Sequence, residues 1–265
     1  MCKIKTVSEY IEIINSMERT GSLYRGQCDI NFKLTPSIFR NIENEIAKNK
    51  KQIMDELENG GISDEDHETL LSMLIPSTKE VLKKREISAI RIFMAENAPY
   101  LNQPVESYLE ILALAQHHGL PTRLLDWSLS PLVALYFSVE TNGANDAVVY
   151  ILKNSQWIDE TEFKKHSTLG IEDYLDKIDN EMINNIFMPK HITPRIKSQQ
   201  GVFSIHSLNA PEFQPSEIEK ITIDGNYRKE IRNELRQLGI GERTIYPDLY
   251  GLCKELKALK LECND

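Results

Sequence analysis

The stretch "LALAQHHGLPTRLLDWSLSPLVALYFS" (Leu112–Ser138) places two apolar runs on either side of a short polar segment. Gly119 predicts the end of a first helix, and Pro121 prevents that helix from continuing. Ser130 and Pro131 are typical of the cap and the first position of a second helix. The stretch therefore predicts two helices joined by a short loop that carries polar side chains.

That loop is unusually dense in functional side chains, with His117, His118, Arg123, Asp126 and Trp127 inside eleven residues. One interpretation is the wall of a pocket, in which Arg123 pairs with Asp126 and Trp127 covers the pair. The other is a buried polar corner, in which the same pair caps the next helix while one histidine packs and the other faces water. Adjacent histidines point to different faces of a helix, so they do not form a metal pair.

Composition limits the class of protein. The chain has 265 residues, of which 41% are hydrophobic and 27% charged, which is typical of a globular protein with a real core. The formal net charge of −9 argues against broad neutralisation of nucleic-acid phosphates. A local basic groove is compatible with that acidic total.

The cysteines are scattered, with no close pair and no histidine at zinc spacing, which favours reduced thiols and no structural metal. The start "MCKIKTVSEYIEII" has no apolar core of a signal peptide, and no run approaches the roughly 18 apolar residues of a membrane span. We therefore expect a cytoplasmic protein with no membrane contact. No feature of the sequence favours one oligomeric state.

The remaining pattern predicts one α+β domain over residues 1–265, with a small mixed sheet and helical insertions around 40–90 and 155–188. Breaks are expected in the first insertion at "NGG" (59–61) and at Pro76. Further helices are predicted for "TVSEYIEIINSM" (6–17) and "YRKEIRNELRQLGI" (227–240). Strands are predicted in "GSLYRGQ" (21–27), "DAVVYILK" (146–153), "GVFSIHS" (201–207), "KITIDG" (220–225) and, as a short element, "TIYPDLYGL" (244–252).

Outside the central stretch, three places carry candidate chemistry. Arg25 before Gly26 presents a guanidinium fork where the backbone can approach a phosphate or carboxylate, although it also fits a surface arginine on an edge strand. Gln199 and Gln200 precede a strand and suit amide or ribose recognition, or a plain polar strand entrance. Asp248 is more typical of a turn or helix cap than of catalysis. No nucleophile elbow, dinucleotide fingerprint or P-loop occurs.

Taken together, four stretches resemble the FRG domain, a family named for the F/Y-R-G of its first strand. They are "LYRGQ" (23–27), "QHHGLPTRLLDWSLSPLVALYFS" (116–138), "QQGVFSI" (199–205) and "YPDLYGL" (246–252). The central block is highly specific, and the resemblance covers roughly residues 6–260.

The order of parts is also similar, more distantly, to arginine-type ADP-ribosyltransferases, which implies a related α+β fold and NAD as ligand or substrate. Arg25 matches their arginine on the first strand, and Ser128 or Ser130 matches their serine-bearing strand. The resemblance implies that Arg25 holds a phosphate, that His117 and Gln200 contact ribose or nicotinamide as further catalytic residues, and that Asp126 with Arg123 orders the pocket wall. The implied ligand-binding set is Arg25, Gly26, Gln27, His117, Arg123, Asp126, Ser128 and Gln200, with no metal.

Where those transferases carry a glutamate that grips the nicotinamide ribose, this chain offers Gln200 or Gln199. Glu140, Asp126 and Asp248 are alternative carboxylates from elsewhere in the sequence. A glutamine would hold the ribose but stabilise less positive charge in the transition state. The resemblance is therefore compatible with a domain that binds the ligand without catalysis.

These features leave three hypotheses. The first is a nucleotide pocket that cleaves NAD and passes ADP-ribose to a protein, a nucleic acid or water, an activity that would suit a toxin or phage-defence effector. The second is a non-catalytic module for a nucleotide, a nucleic acid or a protein. The third is a purely structural polar core. In the second hypothesis the groove is lined by basic residues: Arg25, Arg40, Arg123, Arg195 and Lys197.

Overall fold

The computed structural model describes residues 3–17, 21–61, 63–101, 105, 107–158, 170–182, 184–190 and 193–261. These residues form a single α+β domain built on a six-stranded sheet with the strand order β4-β5-β2-β1-β3-β6. The strands are β1 (Leu23–Gln27), β2 (Leu124–Ser128), β3 (Ala147–Leu152), β4 (Ile186–Phe187), β5 (Gly201–Ile205) and β6 (Ile218–Ile223). The predicted class is confirmed, but every strand pair is antiparallel, so the expectation of a mixed sheet is wrong.

Helices account for most of the remaining described chain. They are α1 (Val7–Ser16), α2 (Ser37–Glu58), α3 (Asp64–Glu96), α4 (Tyr108–His117), α5 (Pro131–Val139), α6 (Ile171–Glu181), α7 (Pro194–Ser198), α8 (Arg228–Gln237), α9 (Glu242–Ile245) and α10 (Leu249–Leu256). A π-helical turn at Lys257–Leu261 follows α10. None of the described helices has the length and apolar character needed to cross a bilayer.

The sheet is split between β1 and β2. These two central strands share a single register pair, Tyr24 with Ser128, whereas β1 and β3 share five pairs and so do β2 and β5. The sheet therefore consists of two halves, β1-β3-β6 and β2-β5-β4, that meet at one point. A gap between β1 and β2 begins beyond that pair.

Each half of the sheet has its own helical cover on the same face. Helices α1, α5 and α8 pack with β1, β3 and β6 in one apolar cluster. Helices α3, α4 and α6 pack with β2 and β5 in a second cluster. The opposite face carries a smaller apolar cluster, in which Trp127 and Tyr150 pack with Leu34 and Phe213 from the loops.

Gly26 permits the close approach of α5 to β1. A Cβ atom built at this position would lie 2.7 Å from the backbone nitrogen of Ser138 and closer still to the carbonyl oxygen of Ala134. Any side chain at Gly26 would thus collide with the backbone of the helix. The helix itself begins as expected, because the Ser130 hydroxyl accepts a hydrogen bond from the backbone N–H of Val133.

Most elements predicted from the sequence are present, but three predictions for particular stretches are wrong and one short strand was missed. The stretch 124–128 is a central strand and not part of a loop. Helix α3 runs through Pro76 without a break, on a part of the helix that faces solvent. Residues 244–252 contain no strand; they belong to α9, α10 and the turn between them. The short strand β4 was not anticipated.

The two predicted insertions correspond to described helices in part. Residues 40–90 lie in the antiparallel pair α2 and α3, which is interrupted at the expected Asn59–Gly61 turn. The second insertion contains α6, and its residues 159–169 lie outside the described part of the chain. That these segments are insertions into an FRG domain stays a prediction.

Candidate functional site

The gap between β1 and β2 opens into a cleft of about 300 Å³. Because neighbouring residues of a strand point to opposite faces of a sheet, the cleft receives side chains from both faces at the split. Its apolar wall is largely aromatic, and its polar wall holds two arginines and a single carboxylate among the described residues. The apolar lining is Tyr24, Phe32, Trp127, Ala134, Phe137, Ile196 and Phe203. The polar and small lining is Arg25, Gly26, Gln27, Cys28, Arg40, His117, Asp126, Ser128, Gln199 and Gly201.

Arg25 lies at the centre of the cleft. Its side chain is 13% exposed, and its Nη1 donates a hydrogen bond of 2.6 Å to the carbonyl oxygen of Asp126 across the gap between the strands. The Asp126 carboxylate is 3.6 Å from the same nitrogen and is 60% exposed. Burial lowers the pKa of Arg25, Asp126 opposes that shift, and the nearby positive charge of Arg40 reinforces it. A guanidinium remains protonated under these conditions, so the cleft holds a charge that Asp126 offsets only in part.

Two polar atoms on β1 have no hydrogen-bond partner among the described residues. They are the Nε of Arg25 and the Oε1 of Gln27, both shielded from solvent. Arg25 and Gln27 are two residues apart on one strand, so they point to the same face of the sheet. A buried donor and a buried acceptor thus line the cleft without a hydrogen-bond partner among the described residues. Each such group lowers the free energy of unfolding by about 1–3 kcal/mol.

His117 contributes a neutral imidazole to the cleft. It is the last residue of α4 and is half-buried. Burial lowers its pKa to about 4, and the positive charges near it, Arg195 and His118, act in the same direction. At neutral pH the ring therefore offers one donor and one acceptor nitrogen and carries no charge.

A buried chain of hydrogen bonds fixes the position of Trp127. Its Nε1 donates to Ser204 Oγ over 2.8 Å, and Ser204 Oγ lies 2.6 Å from Nε2 of His206. Nδ1 of His206 lies 3.0 Å from Oδ1 of Asn184. An indole nitrogen only donates and an amide oxygen only accepts, so His206 is protonated at Nδ1 and accepts from Ser204. Burial lowers the pKa of His206 to about 3, which keeps the ring neutral.

The same serine, histidine and asparagine have the order of a nucleophile, a base and an orienting group. However, the side chains of Ser204 and His206 are fully buried, and Ser204 Oγ already accepts from the indole. This set is therefore a brace for the wall of the cleft and not a nucleophilic site. Sequence reasoning missed it, although the spacing of Ser204 and His206 on one face of a predicted strand was a usable signal.

The structure separates Arg123 from Asp126, so the predicted pair is wrong. Arg123 is completely buried and donates to both carboxylate oxygens of Glu86, at 2.8 and 2.5 Å. Its Nη1 also forms a 3.0 Å ion pair with Asp179. Strand geometry explains the correction, because Arg123 precedes β2 and projects among α3 and α6, whereas Asp126 lies by the gap. Arg123 does not line the cleft, and its position matches the structural interpretation.

Gln200 does not line the cleft either, whereas Gln199 does. Gln200 has a left-handed backbone (φ 47°) and an exposed side chain in the turn between α7 and β5. The side-chain Nε2 of Gln199 donates to the carbonyl of Ile245, and its own carbonyl accepts from Ser128 Oγ at 2.7 Å. Ser128 therefore lines the cleft while its hydroxyl braces β2 against this turn.

The other carboxylates considered in place of the transferase glutamate, Glu140 and Asp248, lie outside the cleft. Glu140 accepts hydrogen bonds from Tyr246 and Lys254, away from the cleft. Asp248 caps α10 by accepting from the backbone N–H of Gly251, as its sequence context indicated. Asp126 is thus the carboxylate of the described chain that lines the cleft. The described residues include no cluster of three or more histidine, cysteine or acidic side chains arranged for a metal.

The fold and the cleft define an α+β domain with a divided antiparallel sheet and a cationic cleft at the division. Residues 20–147 match the family model of the FRG domain, so the chain carries an FRG domain. The match includes β1, β2 and α5, which form part of the cleft, while "QQGVFSI" and "YPDLYGL" lie beyond it. No curated protein and no solved structure matches the chain, so the more distant similarity to ADP-ribosyltransferases is not borne out.

Proposed function

We propose that the cleft binds a nucleotide, with NAD as the ligand that the transferase resemblance favours. The observation that carries the proposal is the unsatisfied pair on β1, the Arg25 Nε donor and the Gln27 Oε1 acceptor. A ligand with both phosphate oxygens and hydroxyl groups would satisfy the two atoms together. Phosphate oxygens suit the guanidinium, and ribose hydroxyls suit the amide oxygen.

Charge and shape support the same ligand class. The two positive charges of Arg25 and Arg40 outnumber the single negative charge of Asp126, so the cleft attracts an anion. Aromatic side chains such as Phe32 and Phe137 supply faces against which a base can pack. A volume of about 300 Å³ lies at the small end of the range for ligand pockets, which suits a mononucleotide or one half of a dinucleotide.

Cleavage of NAD is a second candidate, and the observation that favours it is the exposed Asp126 carboxylate beside Arg25. In such a reaction the bond between nicotinamide and ribose breaks, and nicotinamide leaves with the bonding electrons. Asp126 would stabilise the positive charge that develops on the ribose, and water or an acceptor nucleophile would add there. A role as a toxin or phage-defence effector would follow from this activity and rests on the resemblance alone.

Thermal unfolding with a panel of NAD, ADP-ribose, AMP and nicotinamide tests the binding proposal. A ligand at about 100 times its Kd stabilises the folded state by about 2.7 kcal/mol, which corresponds to a rise in Tm of roughly 5–10 °C. We expect this rise with the phosphate-bearing ligands for the wild type and its loss in Arg25→Gln. If no nucleotide raises Tm at millimolar concentration, the proposal fails.

Release of nicotinamide from NAD separates turnover from binding. Asp126→Asn keeps the shape of the side chain and removes its charge, so it should abolish release while NAD still raises Tm. Absence of release from the wild type, with binding intact, would leave a non-catalytic nucleotide-binding domain.

A further inference from the structure

A second groove lies at the C-terminal end of α5, between α8 and the helical segment that starts with α10. Its volume is about 910 Å³, and it shares no lining residue with the cleft between β1 and β2. The described lining contains more cations than carboxylates, although the chain as a whole has a net charge of −9. The cations are Arg228, Lys229, Arg232, Arg236, Lys254 and Lys257.

Both carboxylates of this groove already have cationic partners. Glu242 accepts from Nε and Nη2 of Arg236, at 3.0 and 2.6 Å. Glu140 accepts from the ammonium of Lys254 and from a tyrosine hydroxyl. These pairs engage Glu242 with Arg236 and Glu140 with Lys254, so neither carboxylate bonds directly to Arg228, Lys229 or Arg232.

Two guanidinium groups of α8 are held by neutral oxygen atoms. Arg232 donates from Nη1 to the carbonyl of Glu140 at 2.7 Å and from Nη2 to Oδ1 of Asn142 at 2.6 Å. Arg228 is 4% exposed, and its bonds to Ser138, Thr141 and the following loop are long, at 3.2–3.5 Å. The Nε atoms of both arginines are buried and lack a hydrogen-bond partner within the described chain.

These bonds explain part of the arrangement, because the arginines cap the last carbonyl groups of α5. They do not neutralise two positive charges that lie side by side. Burial lowers the pKa of Arg232, the positive charges of Arg236 and Arg228 lower it further, and the carboxylate of Glu242 opposes the shift. An anion in the groove would relieve this repulsion.

The spacing indicates what kind of anion fits. Arg228, Arg232 and Arg236 are four residues apart, so they form one row on α8 that advances about 6 Å at each step. Lys229 lies beside the row and is exposed. A row of cations over about 12 Å matches a ligand that carries several anionic groups in series better than a single ion. Guanidinium forks bind phosphate oxygens in pairs.

We propose that this groove binds phosphate groups in series. The same chemistry is present in the polyphosphate tail of a free nucleotide and in the backbone of a nucleic-acid strand. The groove lies outside the cleft, so this site does not depend on the proposed function of the cleft.

Fluorescence competition with two probes tests the proposal. A labelled single-stranded oligonucleotide is titrated with protein at two salt concentrations, and inorganic tripolyphosphate is used as the competitor. Tripolyphosphate is also titrated directly by calorimetry. The groove variant is Lys229→Gln with Arg232→Gln, and the control is Lys50→Gln with Lys51→Gln, two exposed positions on α2 that remove the same charge.

We expect the groove variant to weaken binding of either probe at least tenfold and the control variant to leave it within twofold. Each lysine or arginine that contacts a phosphate of a single strand also contributes about 0.7 to the slope of log K against log salt concentration. The groove variant should therefore lower that slope by about 1.4. Tighter binding of the strand assigns the backbone of a nucleic acid as the source, and equal or tighter binding of tripolyphosphate assigns a free polyphosphate.

Arg232 also holds the end of α5, so its loss can disturb folding. Lys229 is exposed, so Lys229→Glu leaves those bonds intact. This variant should weaken binding of both probes more than Lys229→Gln does. Arg243→Gln, which removes an exposed charge outside both the groove and the cleft, should leave binding of either probe within twofold. The proposal is overturned if neither probe binds saturably, or if the α2 control loses as much affinity as the groove variant.

Discussion

Replacement of Gly26 by alanine tests how the cleft is built. The added carbon would lie 2.7 Å from the backbone nitrogen of Ser138 and nearer to a carbonyl oxygen of α5. A carbon atom needs about 3.5 Å from such neighbours, so β1 and α5 must separate by roughly 1.5 Å to clear the carbonyl oxygen. Both sides of the contact are backbone, which no change of rotamer can relieve. We expect a loss of about 3 kcal/mol or more, at the upper end for overpacked cores.

Urea unfolding followed by circular dichroism measures this loss, and Gly201→Ala is the matched control. Gly201 also lines the cleft on a strand, but a Cβ atom there would meet its nearest neighbours, in Ile196, at 3.4 Å, an ordinary contact. We expect the control to stay within about 1 kcal/mol of the wild type. Equal stability of the two variants would refute the close approach of α5 to β1.

Three further predictions concern buried charge and access to the cleft. Arg123→Met leaves two buried carboxylates without their partner and should cost about 3–5 kcal/mol in urea unfolding; a change below 1 kcal/mol would refute the buried pair. His206 has a pKa of about 3 in the folded state, below its ordinary value, so its stabilisation is complete above pH 6.5 and is lost as pH falls toward 3. Between pH 8 and pH 5 the wild type should lose about 2 kcal/mol more than His206→Gln, and parallel pH profiles would contradict the assigned burial. Saturating nucleotide should slow alkylation of Cys28, which lines the cleft, at least tenfold but leave the exposed Cys253 unchanged, as measured by mass spectrometry; equal rates at Cys28 with and without ligand would place the ligand elsewhere.

Local signals in the sequence predicted much of the fold. The continuous apolar run in "DAVVYILK" and the cap at Ser130 depend on neighbouring residues alone, and both elements are present. The stretch 124–128 was harder to predict, because its apolar residues alternate only briefly before the helix that Ser130 caps. Its strand character comes from pairing with β5, which lies more than 70 residues further along the chain. A register of that kind leaves no local pattern.

Residues of the cleft were predicted correctly where they belong to a recognised sequence motif. Arg25, Gly26, Gln27, His117, Asp126 and Ser128 all line it. Arg123 was misplaced because its partners, Glu86 and Asp179, lie on helices far away in the sequence. Gln200 was preferred over Gln199, since the left-handed turn that directs its side chain outward is a property of the backbone and not of the residue type. Arg40 was named only as one of several groove cations.

The affinity of the cleft for NAD tests the central claim most directly, and isothermal titration calorimetry measures it. A lost charge-assisted hydrogen bond costs about 1.5–3 kcal/mol, so Arg25→Gln and, separately, Arg40→Gln should each weaken binding roughly 10- to 100-fold. Arg243→Gln, which removes an exposed charge outside the cleft, should leave the Kd within twofold. Wild-type protein that binds NAD, with affinity lost only in the two cleft variants, is the result that we predict. Absence of binding to the folded wild type, or equal affinity in all three variants, would contradict a nucleotide site at the split of the sheet.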